Sequence, residues 1–299
     1  LSKSLLQVST EPIDYELAAN PYILTQEYKK AINLLDEAYK ESFNSEILIK
    51  IATLYANYLK DIESAIARLE NHRRNYECDE RICYQLIEIY TKQEKIDKLM
   101  DVYRELYDTT KNDQYAEKIV QGYMYQKEVD KAITFLEHDY ENDPLLYELY
   151  LIKKLYAKAQ QTAEKLYHAG LGPRWLAESA MALYESSPDK NDRTMILSVI
   201  NKLAKAIQEG ANEPTYLNYY GYTLIDYDID VEKGLAAVEE ALKSDSTNSY
   251  FRDSLAWGYY KSGECQRAYD EMRQVVDAEG LNEPEIADHW MKIKACIKE

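Results

Sequence analysis

The fold is decided by the stretch Leu255-Ala256-Trp257-Gly258-Tyr259-Tyr260-Lys261-Ser262-Gly263, which is followed by Ala268, Met272 and Val275. Its first half has large and small apolar residues at helical spacing, and Gly263 supplies a turn residue. The three later apolar residues continue at intervals of four and three, which is the spacing of one helix face. The stretch therefore predicts two amphipathic helices joined by a short turn.

The same pattern recurs along the chain with a period near 34 residues. A large position falls at Tyr22, Tyr55, Tyr90, Tyr123, Tyr150, Tyr184, Leu224 and Tyr259. A mostly small position falls at Ala31, Ala65, Leu99, Ala132, Ala159, Val199, Gly234 and Ala268. An apolar position follows at Leu35, Leu69, Tyr103, Leu136, Ala163, Leu203, Val238 and Met272. One hairpin cannot bury its apolar face alone, so we expect hairpins to stack into a superhelix, with the small residues at close helix crossings.

Two segments 70 residues apart mark helix ends within this array. They are Glu209-Gly210-Ala211-Asn212-Glu213-Pro214 and Glu279-Gly280-Leu281-Asn282-Glu283-Pro284. Glycine ends a helix readily and proline suits the first turn of the next, so each segment predicts a helix stop followed by a helix start.

This arrangement resembles the tetratricopeptide repeat (TPR) family. The resemblance implies an all-α, right-handed superhelical solenoid of about eight hairpins over residues 12–283, with weaker units over residues 141–211. Within these weaker units the spacing of the pattern shrinks to 27 residues at a single step, and the segment from Ser186 to Asp192 lengthens a turn. Residues 284–299 are predicted to form a capping helix, with Ile286, Trp290, Ile293 and Ile297 on one face. Residues 1–11 are predicted to form an N-terminal arm.

Composition supports a helical, acidic chain. The 299 residues include only 9 glycines and 7 prolines, fewer than strands joined by tight turns require. The net charge of −17 repels phosphate backbones, so we do not expect nucleic acid as a partner. No apolar run is long enough to span a bilayer. The chain begins Leu1-Ser2-Lys3, and we interpret it as a processed or truncated product that has lost any signal peptide or lipid anchor.

No signature of catalysis or cofactor binding is found. The sequence has no glycine-rich phosphate loop, HExxH or GxSxG motif. Its histidines are scattered, and we expect them at the surface or at helix ends: His72, His138, His168 and His289. We therefore predict no enzymatic activity, no catalytic residues, no cofactor and no metal site.

The four cysteines leave two interpretations open. Their spacing fits no zinc template. Cys78 and Cys83 are close in sequence, and Cys265 begins a helix antiparallel to the one that Cys296 ends. One interpretation is two disulfides, 78–83 and 265–296, in an oxidising compartment. The other is four buried or unpaired thiols.

The resemblance implies that the first helix of each hairpin lines a groove for a peptide or protein partner. In the last two hairpins this register places seven residues in the groove: Asn218, Tyr222, Ile225, Tyr250, Asp253, Trp257 and Tyr260. The competing interpretation is that Trp257 and Tyr222 pack against each other between hairpins. Groove positions of earlier hairpins are Arg81, Tyr84, Glu88, Glu117, Gln121 and Met124.

We therefore predict a non-enzymatic protein-interaction scaffold. The segments 221–224 and 253–257 resemble those of bacterial exported TPR proteins, including lipoproteins. The resemblance implies a periplasmic or outer-membrane-associated protein in an envelope assembly for secretion, motility, or outer-membrane or cell-wall biogenesis. The alternative is a cytoplasmic TPR adaptor or regulator.

Overall fold

The computed structural model describes residues 11–76 and 79–297. This portion of the chain forms seventeen α-helices and one π-helix and contains no strand, which confirms the all-α prediction. Of the predicted N-terminal arm, residues 1–10 lie outside the described residues, and Glu11 is the N-cap of the first helix.

The helices alternate between first and second members of successive pairs. The bounds are α1 Pro12–Leu24, α2 Tyr28–Ser42, α3 Ser45–Thr53 continued by the π-helix Leu54–Tyr58, α4 Ile62–Asn75, α5 Glu80–Lys92, α6 Ile96–Thr110, α7 Asp113–Tyr125, α8 Val129–His138, α9 Asp143–Ile152, α10 Tyr156–His168, α11 Arg174–Ser186, α12 Arg193–Gln208, α13 Pro214–Asp226, α14 Val231–Ser244, α15 Ser249–Lys261, α16 Cys265–Glu279 and α17 Pro284–Cys296. Odd-numbered helices are the first helices of their pairs, and for α17 the described residues include no second helix.

The repeated large residues, from Tyr22 to Tyr259, form what we call the large-residue ladder. Their backbone carbonyls accept hydrogen bonds at the turn inside each pair. In seven of the eight pairs, the ladder carbonyl accepts a hydrogen bond from an amide five or six residues later, at 2.8–3.0 Å. The acceptors are Tyr22, Tyr55, Tyr90, Tyr123, Tyr150, Leu224 and Tyr259. The residue before each donor is left-handed: Gln26, Lys60, Glu94, Lys127, Lys154, Asp228 and Gly263. Each turn thus satisfies a carbonyl that would otherwise lack a partner at the helix end.

Two turns differ from the other six, and each difference has a local cause. After Tyr55 the left-handed residue comes five positions later, because the π-helix Leu54–Tyr58 adds one residue to the first helix. After Tyr184 the loop is longer, as predicted, and the Lys190 ammonium donates to the Tyr184 carbonyl. The same carbonyl also accepts from the Ser187 amide at 3.2 Å, so a nearer amide and a side chain take the place of the amide five or six residues later.

The repeated, mostly small residues from Ala31 to Ala268, which we call the small-residue ladder, lie at the helix crossings. All its members are buried except the partly exposed Leu99. α13 and α14 cross closely at Gly221 and Gly234. A Cβ on Gly221 would lie 2.6 Å from the Gly234 carbonyl oxygen, and a Cβ on Gly234 would lie 2.7 Å from that of Gly221. The two backbones are in direct contact, so only glycine fits at either position.

The chain divides into two compact units, one ending at Phe135 and the other beginning at Leu136. A core cluster of unit 1 includes Ala31, Leu35, Ile51 and Leu54 from its first two helix pairs. Unit 2 holds one cluster around Val199, Leu203 and Leu224, and a second around Ile225, Ala268, Met272 and Ile293. The weaker region 141–211 forms α9 to α12, which pack in order as antiparallel neighbours.

Helix ends follow the predicted signals. Gly210 and Gly280 take positive φ after α12 and α16, and Pro214 and Pro284 open α13 and α17. Asparagine N-caps begin α3, α7, α9 and α15, where their side chains accept amide hydrogen bonds.

Candidate functional site

The first helices form the inner face of each unit. Besides packing within hairpins, successive first helices contact each other, as α3 does with α5, α13 with α15, and α15 with α17. We use the term inner face for the surface formed by the odd-numbered helices, and outer face for that of the even-numbered ones.

In unit 1 the predicted groove positions are at the surface. Arg81, Tyr84 and Glu88 of α5 are exposed or partly exposed, as are Glu117 and Gln121 of α7, while Met124 is partly buried. They form a row of charged, aromatic and amide groups on two neighbouring first helices, which can contact a partner without refolding.

Polar contacts join neighbouring first helices on this face. The Lys50 ammonium donates to the Glu16 carboxylate, and the Arg81 guanidinium donates to Glu46 Oε1 at 2.8 Å. The hydrogen bond from Arg81 lowers the pKa of Asp79 to about 2. Lys50, Arg81 and Glu46 keep half or more of their side-chain surface exposed in these pairs.

A small cavity opens on the inner face of unit 1 where the π-helix faces α5. Its volume is about 110 Å³, and its lining residues are Ala52, Thr53, Ala56, Asn57, Ile62, Gln85, Glu88, Ile89, Lys92 and Gln93. The Gln93 Oε1 atom is buried and has no hydrogen-bond partner among the described residues. Unpartnered atoms of this kind are rare because they cost free energy. The sequence gives no signal for this cavity, since it depends on the extra π-helical residue.

In unit 2 the structure corrects part of the predicted groove. Ile225, Asp253 and Trp257 are buried, with 0%, 6% and 4% of their surface exposed, so they offer no anchor to a partner. Ile225 lies against Gly234 and Gly258, where α13, α14 and α15 meet. Asp253 and Trp257 are covered because α17 packs on α15 just as a further first helix would.

His289 is the residue of α17 that covers them. Its ring stacks on the Trp257 indole with centroids 4.1 Å apart, and its Nδ1 lies 3.1 Å from both carboxylate oxygens of Asp253. The indole Nε1 donates to Asp226 Oδ1 at 3.0 Å. The expectation that the histidines lie at the surface or at helix ends is therefore wrong for His289, which is buried in the middle of a helix.

The other four predicted positions stay partly or fully accessible. Tyr250 is 60% exposed, and Tyr260 stacks on Trp257 with centroids 4.8 Å apart. The Tyr222 hydroxyl donates to Glu285 of α17, and burial raises its pKa. Tyr222 and Trp257 thus both contact His289 of α17, with ring centroids 6.3 and 4.1 Å away, whereas the competing interpretation had the two residues pack against each other between hairpins. The Asn218 Oδ1 is buried and unpartnered among the described residues.

Cys265 and Cys296 form a disulfide that links the start of α16 to the end of α17, with Cα atoms 5.6 Å apart. The other predicted pair includes Cys78, which lies outside the described residues, and Cys83 is buried in α5. Within the described residues, no cluster of three or more His, Cys, Asp or Glu is arranged to hold a metal ion. The helices described in the two ranges include none long and apolar enough to cross a bilayer.

No protein-family model and no curated protein matches this chain. Solved structures do resemble it. YrrB, described as a TPR protein with an unusual peptide-binding site, is 14% identical, with a TM-score of 0.48 over 66% of this chain and 98% of that one. The C-terminal part of a TPR protein from Cytophaga hutchinsonii is 19% identical, with a TM-score of 0.47 over 79% of this chain and 98% of that one. The Cut9–Hcn1 hetero-tetramer of the APC/C is 11% identical, with a TM-score of 0.48 over 94% of this chain and 55% of that one.

All three TM-scores lie below 0.5, so the fold assignment rests on the chain's own geometry. Its alternating helix pairs and buried small residues at the helix crossings are those that the sequence pattern predicts.

Proposed function

We propose that this chain is a non-enzymatic scaffold that binds a peptide or protein segment along the inner face of its helix hairpins. The supporting observation is the row of accessible residues on unit 1, Arg81, Tyr84, Glu88, Glu117 and Gln121. Arginine and tyrosine are the residue types that carry much of the binding energy at protein interfaces. We place the partner on unit 1 because α17 covers Trp257 and Asp253 in the C-terminal hairpins.

Site-specific photo-crosslinking tests this placement. A photoreactive amino acid at Glu117 or Gln121 samples the inner face, and one at Lys98, exposed on α6, samples the outer face. We expect one partner to be captured in cells from the inner positions and not from Lys98. Capture from Lys98 alone would contradict the proposal.

Affinity measurements with the purified partner complete the test. Arg81→Glu should weaken binding at least tenfold, because it reverses the charge of a basic side chain in the row. Lys98→Glu makes the same change of charge on the outer face and should alter the affinity by less than about twofold. Equal effects of the two variants would refute inner-face binding.

We further propose that the chain works on the periplasmic side of a bacterial envelope, in an assembly for secretion, motility, or outer-membrane or cell-wall biogenesis. The supporting observation is the Cys265–Cys296 disulfide, because disulfides persist in oxidising compartments. The bacterial assignment rests on the resemblance of segments 221–224 and 253–257 to exported TPR proteins. The alternative is a cytoplasmic adaptor with reduced thiols.

Thiol titration distinguishes the two compartments. Cells are treated with an alkylating reagent before lysis, and the denatured chain is then probed for cysteines that become reactive after reduction. We expect Cys265 and Cys296 to be protected until reduction. Alkylation of both before reduction would favour the cytoplasmic adaptor.

A further inference from the structure

Helix α17 is held in place by few buried side chains. Its buried residues are Ile286, His289 and Ile293, whereas α15, on which it packs, has eight. One of the three is a histidine, a polar residue that gains less than an aliphatic side chain from leaving water. The opposite side of α17 carries Met291 and Lys294, which are both exposed. Because the free energy of local opening depends on buried apolar contacts, we expect α17 to open more readily than α15.

The Cys265–Cys296 disulfide opposes this opening. It joins the start of α16 to the end of α17 over a sequence separation of 31 residues. The other covalent link between the two helices is the loop from Gly280 to Glu283. A disulfide excludes the open conformations in which its two ends are far apart. Reduction therefore raises the population of open conformations, because α17 then remains attached at its N-terminal end only.

A protein dithiol can break this bond. Cys265 and Cys296 are both partly exposed, and Cys265 is the first residue of α16, where the helix dipole stabilises a thiolate leaving group. One thiolate of the dithiol attacks Cys296 Sγ, the S–S bond breaks, and Cys265 leaves as a thiolate that takes up a proton. The second thiolate of the reductant then displaces Cys296, which also takes up a proton. Two electrons and two protons pass to the cysteines, and the dithiol becomes a disulfide.

The surface beneath α17 presents an indole, a carboxylate and a phenol hydroxyl. His289 stacks on the Trp257 indole, and its Nδ1 lies 3.1 Å from both carboxylate oxygens of Asp253. Glu285 accepts a hydrogen bond from the Tyr222 hydroxyl. Removal of α17 exposes these three groups of α13 and α15 together. An aromatic face beside a carboxylate is complementary to an imidazole, which can stack on the ring and donate to the carboxylate.

We propose that the Cys265–Cys296 disulfide is a redox switch that controls access to a helix-binding surface on α13 and α15. The oxidised form keeps α17 on this surface. The reduced form admits a partner helix that repeats the pattern of α17. This pattern is an aliphatic residue, a histidine three positions later and an aliphatic residue four positions after that, as in Ile286, His289 and Ile293. The inference goes beyond the scaffold function proposed for unit 1 and does not depend on it.

Hydrogen exchange of the whole chain tests the switch. Dithiothreitol should speed the exchange of the α17 amides at least about tenfold and change that of the α13 amides by less than about twofold. The double variant Cys265→Ser/Cys296→Ser should exchange as fast as the reduced chain and should not respond to dithiothreitol. This control excludes an effect of the reductant on other cysteines. Equal exchange of α17 in the oxidised and reduced chains would overturn the proposal.

Peptide binding tests the surface. The probe is a fluorescein-labelled peptide with the sequence of residues 283–297 and the substitution Cys296→Ser, and fluorescence anisotropy is the readout. Because the apparent affinity scales with the fraction of open chain, the reduced chain should bind this peptide at least about tenfold more tightly than the oxidised chain. A second peptide that also carries His289→Ala should bind the reduced chain at least about tenfold more weakly than the first. Equal affinity of the two forms of the chain, or of the two peptides, would refute the helix-binding surface.

Discussion

The imidazole ring of His289 lies nearly parallel to the indole of Trp257, with 13° between the planes and 4.1 Å between the centroids. The pair joins the last helix to the hairpin before it. Because the same imidazole contacts the buried carboxylate of Asp253, one side chain both fills space and satisfies a buried acceptor.

His289→Ala should therefore destabilise the C-terminal region of unit 2 by about 2–4 kcal/mol, since it opens a cavity and leaves the Asp253 carboxylate without its partner. Urea unfolding followed by tryptophan fluorescence measures the change. Met291→Ala is the matched control, because Met291 is on the same helix and 65% exposed; it should change stability by less than about 0.5 kcal/mol. Equal effects would show that the His289 contacts contribute nothing.

Gly221→Ala or Gly234→Ala should lower the free energy of unfolding by at least about 2 kcal/mol. Each added methyl group meets a backbone oxygen that cannot move away without separating α13 from α14. Thermal unfolding by circular dichroism measures the loss. Gly122→Ala is the control, because the three atoms nearest to its methyl group would all belong to the flexible side chain of Met100. It should be nearly neutral, as the gain in helix propensity offsets the local adjustment. Unchanged stability of the Gly234→Ala variant would argue against the close crossing of α13 and α14.

Lys127→Gly or Lys154→Gly should stabilise the chain by about 0.5–1 kcal/mol. Both lysines adopt left-handed backbone angles, with φ of 60° and 56°, which strain a residue with a Cβ atom. Lys118→Gly places the same substitution inside α7 and should destabilise by about 1 kcal/mol. Urea unfolding should show a gain in stability for the turn variants and a loss for Lys118→Gly. A loss of stability for Lys127→Gly would mean that the turn is not left-handed there.

Alkaline stability should fall steeply above pH 10. Burial raises the pKa of Tyr147, Tyr216 and Tyr184 above the ordinary value of 10.0. A raised pKa in the folded state means that the stabilisation is complete below pH 10 and is lost as the pH rises through the folded-state values. Tyrosinate absorbance of these residues should therefore appear together with the loss of helical circular dichroism. Full ionisation of all tyrosines near pH 10 with intact helices would contradict this prediction.

The sequence predicted the helix pairs because their signals are local. Helical spacing, Gly210 followed by Pro214, and the repeated tyrosines each depend on a few neighbouring residues. The π-helix at Leu54–Tyr58 was not predicted, because one extra residue is absorbed within a helix and leaves the average period almost unchanged. The role of Lys190 as a donor to the Tyr184 carbonyl was missed because it depends on how the long loop folds back.

The candidate site was predicted less well. The repeat register identified the inner face and placed Arg81, Tyr84 and Glu88 at its surface, but it treated Trp257 and Asp253 as lining an open groove. It did so because the capping prediction for residues 284–299 did not specify which residues of α15 the helix would cover. His289 lies three residues after Ile286 and four before Ile293, and this spacing was the available signal that it faces inward.

The bond between Cys265 and Cys296 has a consequence for how the array comes apart. Helices open locally and transiently, each with its own free energy of opening. Because the disulfide ties the end of α17 to the start of α16, α17 can detach from α15 but cannot move far from its docking site. Rebinding is then an intramolecular step over a short tether, and α17 should repack quickly after each opening.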